Sequence, residues 1–269
     1  MPVLYKEKSI GWIHADIHQV LLKNNFLMDE DKVCVDNLLG LEENWFKSVF
    51  KLFFKLKIID NNFSEKCPIF SHESLNPKIT FQENKVFGNE CLFTVNRALL
   101  SKFGFTAYGV HCNAWRNNKV PTMFLSKRSR NLKKFPGLFD NFIGGGQPSN
   151  ISIRKNLEKE GFEEVGITKN ILQNAELNCF TKYSHTYNNV LNSSVIATYD
   201  LEMKKKFIFK SNDNEVEGVQ EFEIFEVLNL FKEKKIKPNC LIPILNLIIK
   251  KMNNLFDERA LLEIKKNLT

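Results

Sequence analysis

Apolar positions between residues 9 and 25 (Ile10, Ile13, Ile17 and Leu21) recur at helical spacing and predict a first helix. A denser stripe over residues 41–59, built from Trp45, Phe46, Val49, Phe50, Phe53 and Phe54, predicts a second. Its aromatic richness is that of a core face. Residues 61–78 hold Pro68 and Pro77 among polar positions and read as loop. Short strands are expected at 79–81 and 85–87, then a helix over 94–102.

From Phe105 the pattern changes. Strands are expected at 106–115 and 122–126, and Gly137 and the run Gly144, Gly145 and Gly146 punctuate the segment beyond them. A helix is expected over 151–164, strands at 176–181, 195–201 and 221–225, and closing helices at 227–234 and 241–254. Strands alternating with helices predict an α/β domain. The expected division is a mainly helical α+β domain over residues 1–104 and an α/β domain over 105–269.

Composition narrows the classes. In 269 residues, 43% are hydrophobic and 26% charged, which is the make-up of a globular protein. No apolar run approaches the roughly 18 residues of a membrane helix, and MPVLYKEKSIGWIH lacks the pattern of an export signal. No membrane association and a cytoplasmic location are therefore expected. The cysteines (Cys34, Cys67, Cys91, Cys112, Cys179 and Cys240) are scattered without a CxxC pair, so free thiols are expected. The net charge of +7 invites a nucleic-acid reading. Few of the basic residues are arginines, and the lysines spread along the chain, so no nucleic-acid partner is expected. The cluster Lys127, Arg128, Arg130, Lys133 and Lys134 suits a small phosphorylated ligand equally well. His14 and His18 are four apart on the first predicted helix but lack an evident third metal ligand.

The informative stretch is GGQPSNISIRKNLEKEGFEEVGI, residues 145–167. Glu160, Glu163 and Glu164 stand at i, i+3 and i+4, one side of a helix. Leu157, Gly161 and Val165 form a neighbouring stripe able to pack on a sheet. Three adjacent carboxylates repel, and a hard divalent cation reverses that sign. Lys155, Glu158, Lys159 and Glu163 would alternatively form a solvated Lys/Glu face. The flanking glycines favour a site: a Gly-rich turn lets backbone approach a ligand, and Gly166 falls where a helix C-cap glycine belongs.

This stretch resembles the Nudix box: Gly, five residues, Glu, seven residues, Arg-Glu, an apolar residue, any residue, Glu-Glu, any residue, Gly, an apolar residue. Gly145 matches the opening glycine, Glu160 the Glu of Arg-Glu, Glu163 and Glu164 the Glu-Glu pair, and Gly166 and Ile167 the end. Three positions depart from the pattern: Ile151 for the first Glu, Lys159 for Arg, and Gly161 for the apolar residue. Lysine keeps the charge and loses the planar fork. The runs YGVHCNAW, FLSKRSRNLKKFPGLFDNFIGGG, YDLEM, NEVEGVQEFEIFEV and KPNC, with GWIHADIHQVL near the start, resemble one Nudix subfamily. It is the group related to the Nudix part of thiamine pyrophosphokinase-like proteins, in which a helical domain precedes the hydrolase.

The resemblance implies a Nudix α/β/α sandwich with a mixed sheet behind the smaller domain. It implies hydrolysis of a diphosphate bond with Mg²⁺ or Mn²⁺. The implied substrates are thiamine diphosphate and its damaged forms, oxythiamine and oxothiamine diphosphate, cut to monophosphate and phosphate. Glu160 and Glu164 would hold the metal with Glu163 assisting, and Glu160 or Glu217 would serve as base. Arg128 could clamp a phosphate, with Lys127 as a point charge. His111 and Asn113, two apart on one strand face, would line the pocket with Gly144 and Gly145, and Phe135 or Trp115 would stack on an aromatic ring. Two alternatives stay open: a pyrophosphatase for nucleoside diphosphate derivatives, and a sensor that binds a diphosphate ligand without cleaving it. The first domain is expected to shape substrate access or to make a homodimer.

Overall fold

The computed structural model describes residues 1–26, 31–35, 42–59, 65–70, 83–85, 91–187, 190–204, 208–259 and 261–262. The chain divides into two compact units: Met1–Tyr108 with Gly146–Ile153 and Lys182–Val195, and Gly109–Gly145 with Arg154–Thr181 and Ile196–Thr269. A domain division at 1–104 and 105–269 remains a proposal.

In the first unit, β1 (Pro2–Tyr5) and β2 (Lys8–Trp12) form an antiparallel hairpin. Its turn, Lys6 and Glu7, holds both residues at positive φ, the geometry that two-residue hairpins favour. The helix expected from residue 9 therefore begins later. Ile10 is buried on a strand, and α1 spans Ala15–Lys23 with the His14 side chain capping the Asp16 N–H. The i, i+4 spacing of Ile10, Ile13, Ile17 and Leu21 straddles a strand and a helix that feed one core. β3 (Val33–Cys34) runs parallel to β1. In α2 (Glu42–Lys55) Phe46, Val49 and Phe53 are buried, while Phe54 faces outward.

Two further expectations in this unit are corrected. β4 (Lys66–Ile69) is a strand inside the stretch read as loop, and its partner β5 (Phe93–Asn96) occupies the start of the expected helix at 94–102. Phe93 and Val95 are buried in alternation along β5, whereas Cys67, Pro68 and Ile69 are all buried in β4; a proline is tolerated in a sheet that has two strands among the described residues. Asn96 then caps a 3₁₀ turn over Arg97–Leu99 through the Ala98 N–H. The strands expected at 79–81 and 85–87 lie outside the described residues, residue 85 apart.

Among the described residues the large sheet has seven strands. They are β6 (Thr106–Arg116), β7 (Thr122–Arg128), β8 (Phe139–Asp140), β9 (Ile143–Gly146), β10 (Glu176–Tyr187), β11 (Val190–Glu202) and β12 (Val216–Glu223). The main order is β10-β11-β6-β7-β12, with β8 on β7 and β9 on β6. The helices are α3 (Ile153–Glu160), α4 (Lys169–Leu172), α5 (Ile224–Lys232) and α6 (Leu241–Lys251). This is the expected α/β architecture. The strand expected at 221–225 ends at Glu223, where a capping box with Glu226 turns the chain into α5 and takes Phe225 with it.

In the second unit, Trp115, Met123, Leu125 and Phe139 pack with Ile224 and Val227 of α5 and Ile244, Leu247 and Ile248 of α6. Odd-numbered side chains of β6 point to this face, because the Asn113 amide reaches the Pro243 carbonyl of α6. His111 and Asn113 are therefore polar groups set into an apolar wall. Among the described residues no helix is long and apolar enough to cross a membrane.

Candidate active site

The helix that carries the carboxylates changes gauge inside the box. After Glu160 the chain makes a π-helical turn over Gly161–Val165 and stops at Gly166, whose φ of 72° is left-handed. Gly161 explains its own departure from the pattern. A side chain there would press on Leu172 at 2.7 Å, Ile167 at 2.9 Å and Ile143 at 3.0 Å, so neighbours already fill the space. The turn is held from the chain after β11. Asn212 donates from Nδ2 to the Phe162 carbonyl and from its backbone to that of Glu163, and the Lys210 N–H reaches the Val165 carbonyl.

Two box carboxylates are buried and one is half-exposed. Glu164 Oε2 accepts the Gly144 N–H at 2.9 Å. Burial pushes its pKa up, the Gly144 hydrogen bond opposes this, and Glu160, Asp140 and Asp213 add to the rise. Glu160 packs its carboxyl on Gly145, where a Cβ would collide with it. Lys159 bridges Glu160 at 3.0 Å and Glu163 at 2.9 Å. Burial works against its charge, but Glu163 and Glu160 outweigh it and hold the ammonium protonated. A single lysine thus answers two carboxylates, and Glu164 has a backbone amide. These are the hard oxygen donors a divalent cation takes, although the three carboxylates do not all come within 4.8 Å of one another as they stand.

A second cluster lies beside the glycine strand. Asp140 takes Arg128 Nη1 at 2.8 Å, Lys237 Nζ at 2.9 Å and the Cys240 thiol at 2.9 Å. Burial alone would raise the Asp140 pKa, but Lys237, His111, Arg128 and the thiol hold it well below the usual carboxylate range. Burial and the Asp140 charge push the Cys240 thiol up, so it keeps its proton. Among the described residues, His111, Asp140 and Cys240 are the group whose ligand atoms all lie within 4.8 Å of one another. An ion there would meet two half-buried cations and a protonated sulfur, so this is a charge network and not a metal centre. His14 and His18 have no such grouping: His14 caps α1 at the surface and His18 is buried.

The structure brings Gly144, Gly145, Glu160 and Glu164 together, and sets His111 against Gly144. The other expected contacts are committed to the fold. Besides Asp140, Arg128 donates Nε to the Phe135 carbonyl at 3.1 Å and Nη2 to the Lys134 carbonyl at 3.0 Å. That fork holds a turn in which Phe135 itself is at φ 51°. Lys127 Nζ sits 4.3 Å over the Phe139 ring. Trp115 is buried in the core against α5 and α6. Glu217, at the start of β12, is exposed and accepts the Arg130 N–H at 2.8 Å. Asn113 is fully buried. Sequence reasoning passed over Lys237, Asp213 and Asp200. KPNC was legible as a motif, but no spacing ties Lys237 to Asp140.

No family model matches the chain. In sequence it is similar to Nudix hydrolase 20, chloroplastic, of Arabidopsis thaliana, 25% identical over 257 residues, covering 93% of this chain and 67% of that protein. It is similar at 25% identity over 256 residues to Nudix hydrolase 24, chloroplastic, of the same plant, again covering 93% and 67%. A solved structure titled as the NUDIX domain of Shewanella oneidensis NrtR complexed with ADP ribose is similar over 57% of this chain and 91% of its own, at 16% identity and a TM-score of 0.45. Carboxylates beside a glycine strand on an α/β sheet, in a chain similar to proteins named as Nudix hydrolases, support a hydrolase of phosphoric anhydrides. The box residues and the sequence matches along nearly the whole chain to proteins so named make it similar to the Nudix hydrolases.

Proposed function

We propose that the chain hydrolyses the terminal diphosphate bond of thiamine diphosphate and of its oxythiamine and oxothiamine forms, releasing the monophosphate and inorganic phosphate. The observation that carries the substrate is the resemblance of residues 126–141, from SKRS to FPGLFDN, to the thiamine-related subfamily. Those residues are a built element, tied by Arg128 to Asp140 and to the carbonyls of Lys134 and Phe135. Glu160, Glu163 and Glu164 would hold Mg²⁺ or Mn²⁺, and Gly144 and Gly145 would admit the diphosphate close to the backbone. The ion supplies charge neutralisation of the phosphate oxygens and acidity to a bound water. Of the two base candidates we favour Glu160, since Glu217 is exposed and engaged by Arg130. Glu160 would take the proton of the attacking water as the P–O bond to the leaving monophosphate breaks. All six cysteines are free thiols, which suits the proposed cytoplasmic setting.

The test is phosphate release from thiamine diphosphate, oxythiamine diphosphate, ADP-ribose and a nucleotide sugar, with Mg²⁺ or EDTA, for the wild type and Glu164→Gln. Internal diphosphates are read after an added phosphatase. Metal-dependent release from the thiamine compounds, lost in the variant, supports the reading. Release confined to ADP-ribose or the nucleotide sugar overturns the substrate and keeps the chemistry. Thermal stabilisation by ligand without product points to a sensor.

A further inference from the structure

A line of side-chain amides, half-buried at Asn178 and buried at Asn113 and Asn141, runs through the second unit. Asn178 Nδ2 donates to Asp200 Oδ2 at 2.6 Å. Asn113 Nδ2 donates to Asp200 Oδ1 at 2.9 Å and to the Pro243 carbonyl at 3.0 Å. Asn141 Nδ2 donates to Asn113 Oδ1 at 2.6 Å, and Asn141 Oδ1 lies 2.7 Å from His111 Nδ1. The direction of this line is forced from its far end. A backbone carbonyl can only accept, so the Asn113 nitrogen must face Pro243. Its oxygen then faces Asn141 and must receive the Asn141 nitrogen. That leaves the Asn141 oxygen for His111, and Nδ1 must carry the hydrogen.

The other ring nitrogen is left bare. Among the described residues His111 Nε2 makes no hydrogen bond, although only 4% of the residue is exposed. It is not among the sealed polar atoms lacking a partner, so Nε2 keeps some accessible surface. Its edge is aimed at Gly144: a Cβ on that glycine would stand 3.3 Å from both Nε2 and Cδ2. Gly144 is also the residue whose N–H holds Glu164.

We infer that Asn113 and Asn141 are positioning residues that lock His111 as the Nδ1–H tautomer, so that Nε2 is a fixed hydrogen-bond acceptor for an N–H or O–H donor of the bound diphosphate compound. This rests on the proposed function for the place of the substrate and goes beyond it in assigning what the pocket reads. Burial lowers the His111 pKa to about 4, Asp140 and Asn141 oppose this, and Lys237 and Arg128 reinforce it. The ring thus stays neutral and accepting at physiological pH. A substrate presenting only acceptors at this point would face a bare lone pair and bind worse. Asn113, with both polar atoms used internally, acts through Asn141 and touches no substrate.

The experiment combines ¹⁵N NMR of the labelled imidazole in the full chain with kinetics on thiamine diphosphate and ADP-ribose in Mg²⁺. In the free wild type, Nδ1 is expected protonated and Nε2 bare, and either compound that binds should move the Nε2 resonance toward a hydrogen-bonded value. His111→Leu should lower kcat/KM about tenfold, through KM, and His111→Gln, which offers an amide oxygen near the Nε2 position, should recover part of it. Asn141→Asp puts a carboxylate at Nδ1 and favours the imidazolium, turning Nε2 into a donor. Its defect should be largest at low pH and shrink as pH rises, a shift that a merely structural residue would not produce. An Nε2–H tautomer in the wild type, an Nε2 resonance unmoved by both compounds, or an unchanged KM in a folded His111→Leu would each overturn the inference. If ADP-ribose is cleaved and thiamine diphosphate is not, the thiamine reading fails and the variants are read on ADP-ribose.

Discussion

Glu164 and Gly144 are joined by one hydrogen bond, from the glycine N–H to Oε2 at 2.9 Å, and this is how the carboxylate helix is fastened to the glycine strand. The bond leaves Glu164 poorly served as an anion. It is buried, Glu160, Asp140 and Asp213 surround it with negative charge, and its pKa is raised. Gln at this position keeps the acceptor for Gly144 and removes the charge. Glu164→Gln is expected to cost at least about a hundredfold in metal-dependent turnover. The sign for stability is opposite. A carboxylate whose folded pKa is raised costs stability as pH rises from its unfolded value of 4.5. In EDTA at alkaline pH the variant should therefore unfold at a temperature equal to or above that of the wild type. A lower unfolding temperature with turnover intact would remove Glu164 from the metal site.

Gly145 carries a second prediction, because the Glu160 carboxyl occupies the space that a methyl would need. Gly145→Ala must push Glu160 off the strand, with an overpacking cost of about 1–3 kcal/mol. Turnover should fall about tenfold or more even where the variant is fully folded, which circular dichroism at the assay temperature would establish. The comparison is Gly161→Ala, which presses on Leu172, Ile167 and Ile143 instead. It is expected to lower stability by a similar amount and leave KM nearly unchanged.

The Asp140 network yields the largest stability effect. Asp140→Asn leaves Arg128 and Lys237 facing each other without their shared counter-charge, at 14% and 16% side-chain exposure. Removing one partner of such a buried pair costs about 3–5 kcal/mol. Urea unfolding should show a midpoint shift of that size with an unchanged slope. A shift near zero would mean that the two cations already reach solvent.

Period and punctuation carried much of the second unit. The strands over Thr106–Arg116 and Thr122–Arg128 and the helix into the box follow from alternation, from the i, i+4 stripe of Leu157, Gly161 and Val165, and from Gly166. The first unit was harder to read because Ile10 and Ile13 share a core with Ile17 and Leu21 while lying on different elements. Helical spacing cannot distinguish that from one helix. β4 and β5 pair residues 24 to 30 positions apart, from Ile69↔Phe93 to Lys66↔Asn96, a separation that local propensity does not see. At the site, the box residues were legible as a local pattern. The partners of Asp140 were not, because Arg128 and Lys237 come from distant segments and a lone lysine has no signature. Arg128 looked like a phosphate clamp, since nothing in the sequence shows that three protein acceptors already hold its guanidinium.

The two ends of the amide line titrate in opposite senses. Burial raises the Asp200 pKa to about 6 against the hydrogen bonds from Asn113 and Asn178 and the charges of Lys250 and Lys251, whereas burial lowers that of His111 to about 4. As pH falls below 6.5, the unfolded histidine binds a proton that folded His111 refuses until about 4, so stability declines with acid. As pH rises above 3.8, the unfolded aspartate releases a proton that folded Asp200 keeps until about 6, so stability declines with base. Each effect is about 3 kcal/mol at 1.36 kcal/mol per pKa unit, and over the shared window they nearly cancel. Removing one end should expose the other. Relative to wild type, His111→Gln should lose stability as pH rises through the window, and Asp200→Asn should lose it as pH falls. Urea unfolding across that range would read the two slopes. Curves running parallel to the wild type would show that neither group is as deeply shielded as its packing implies.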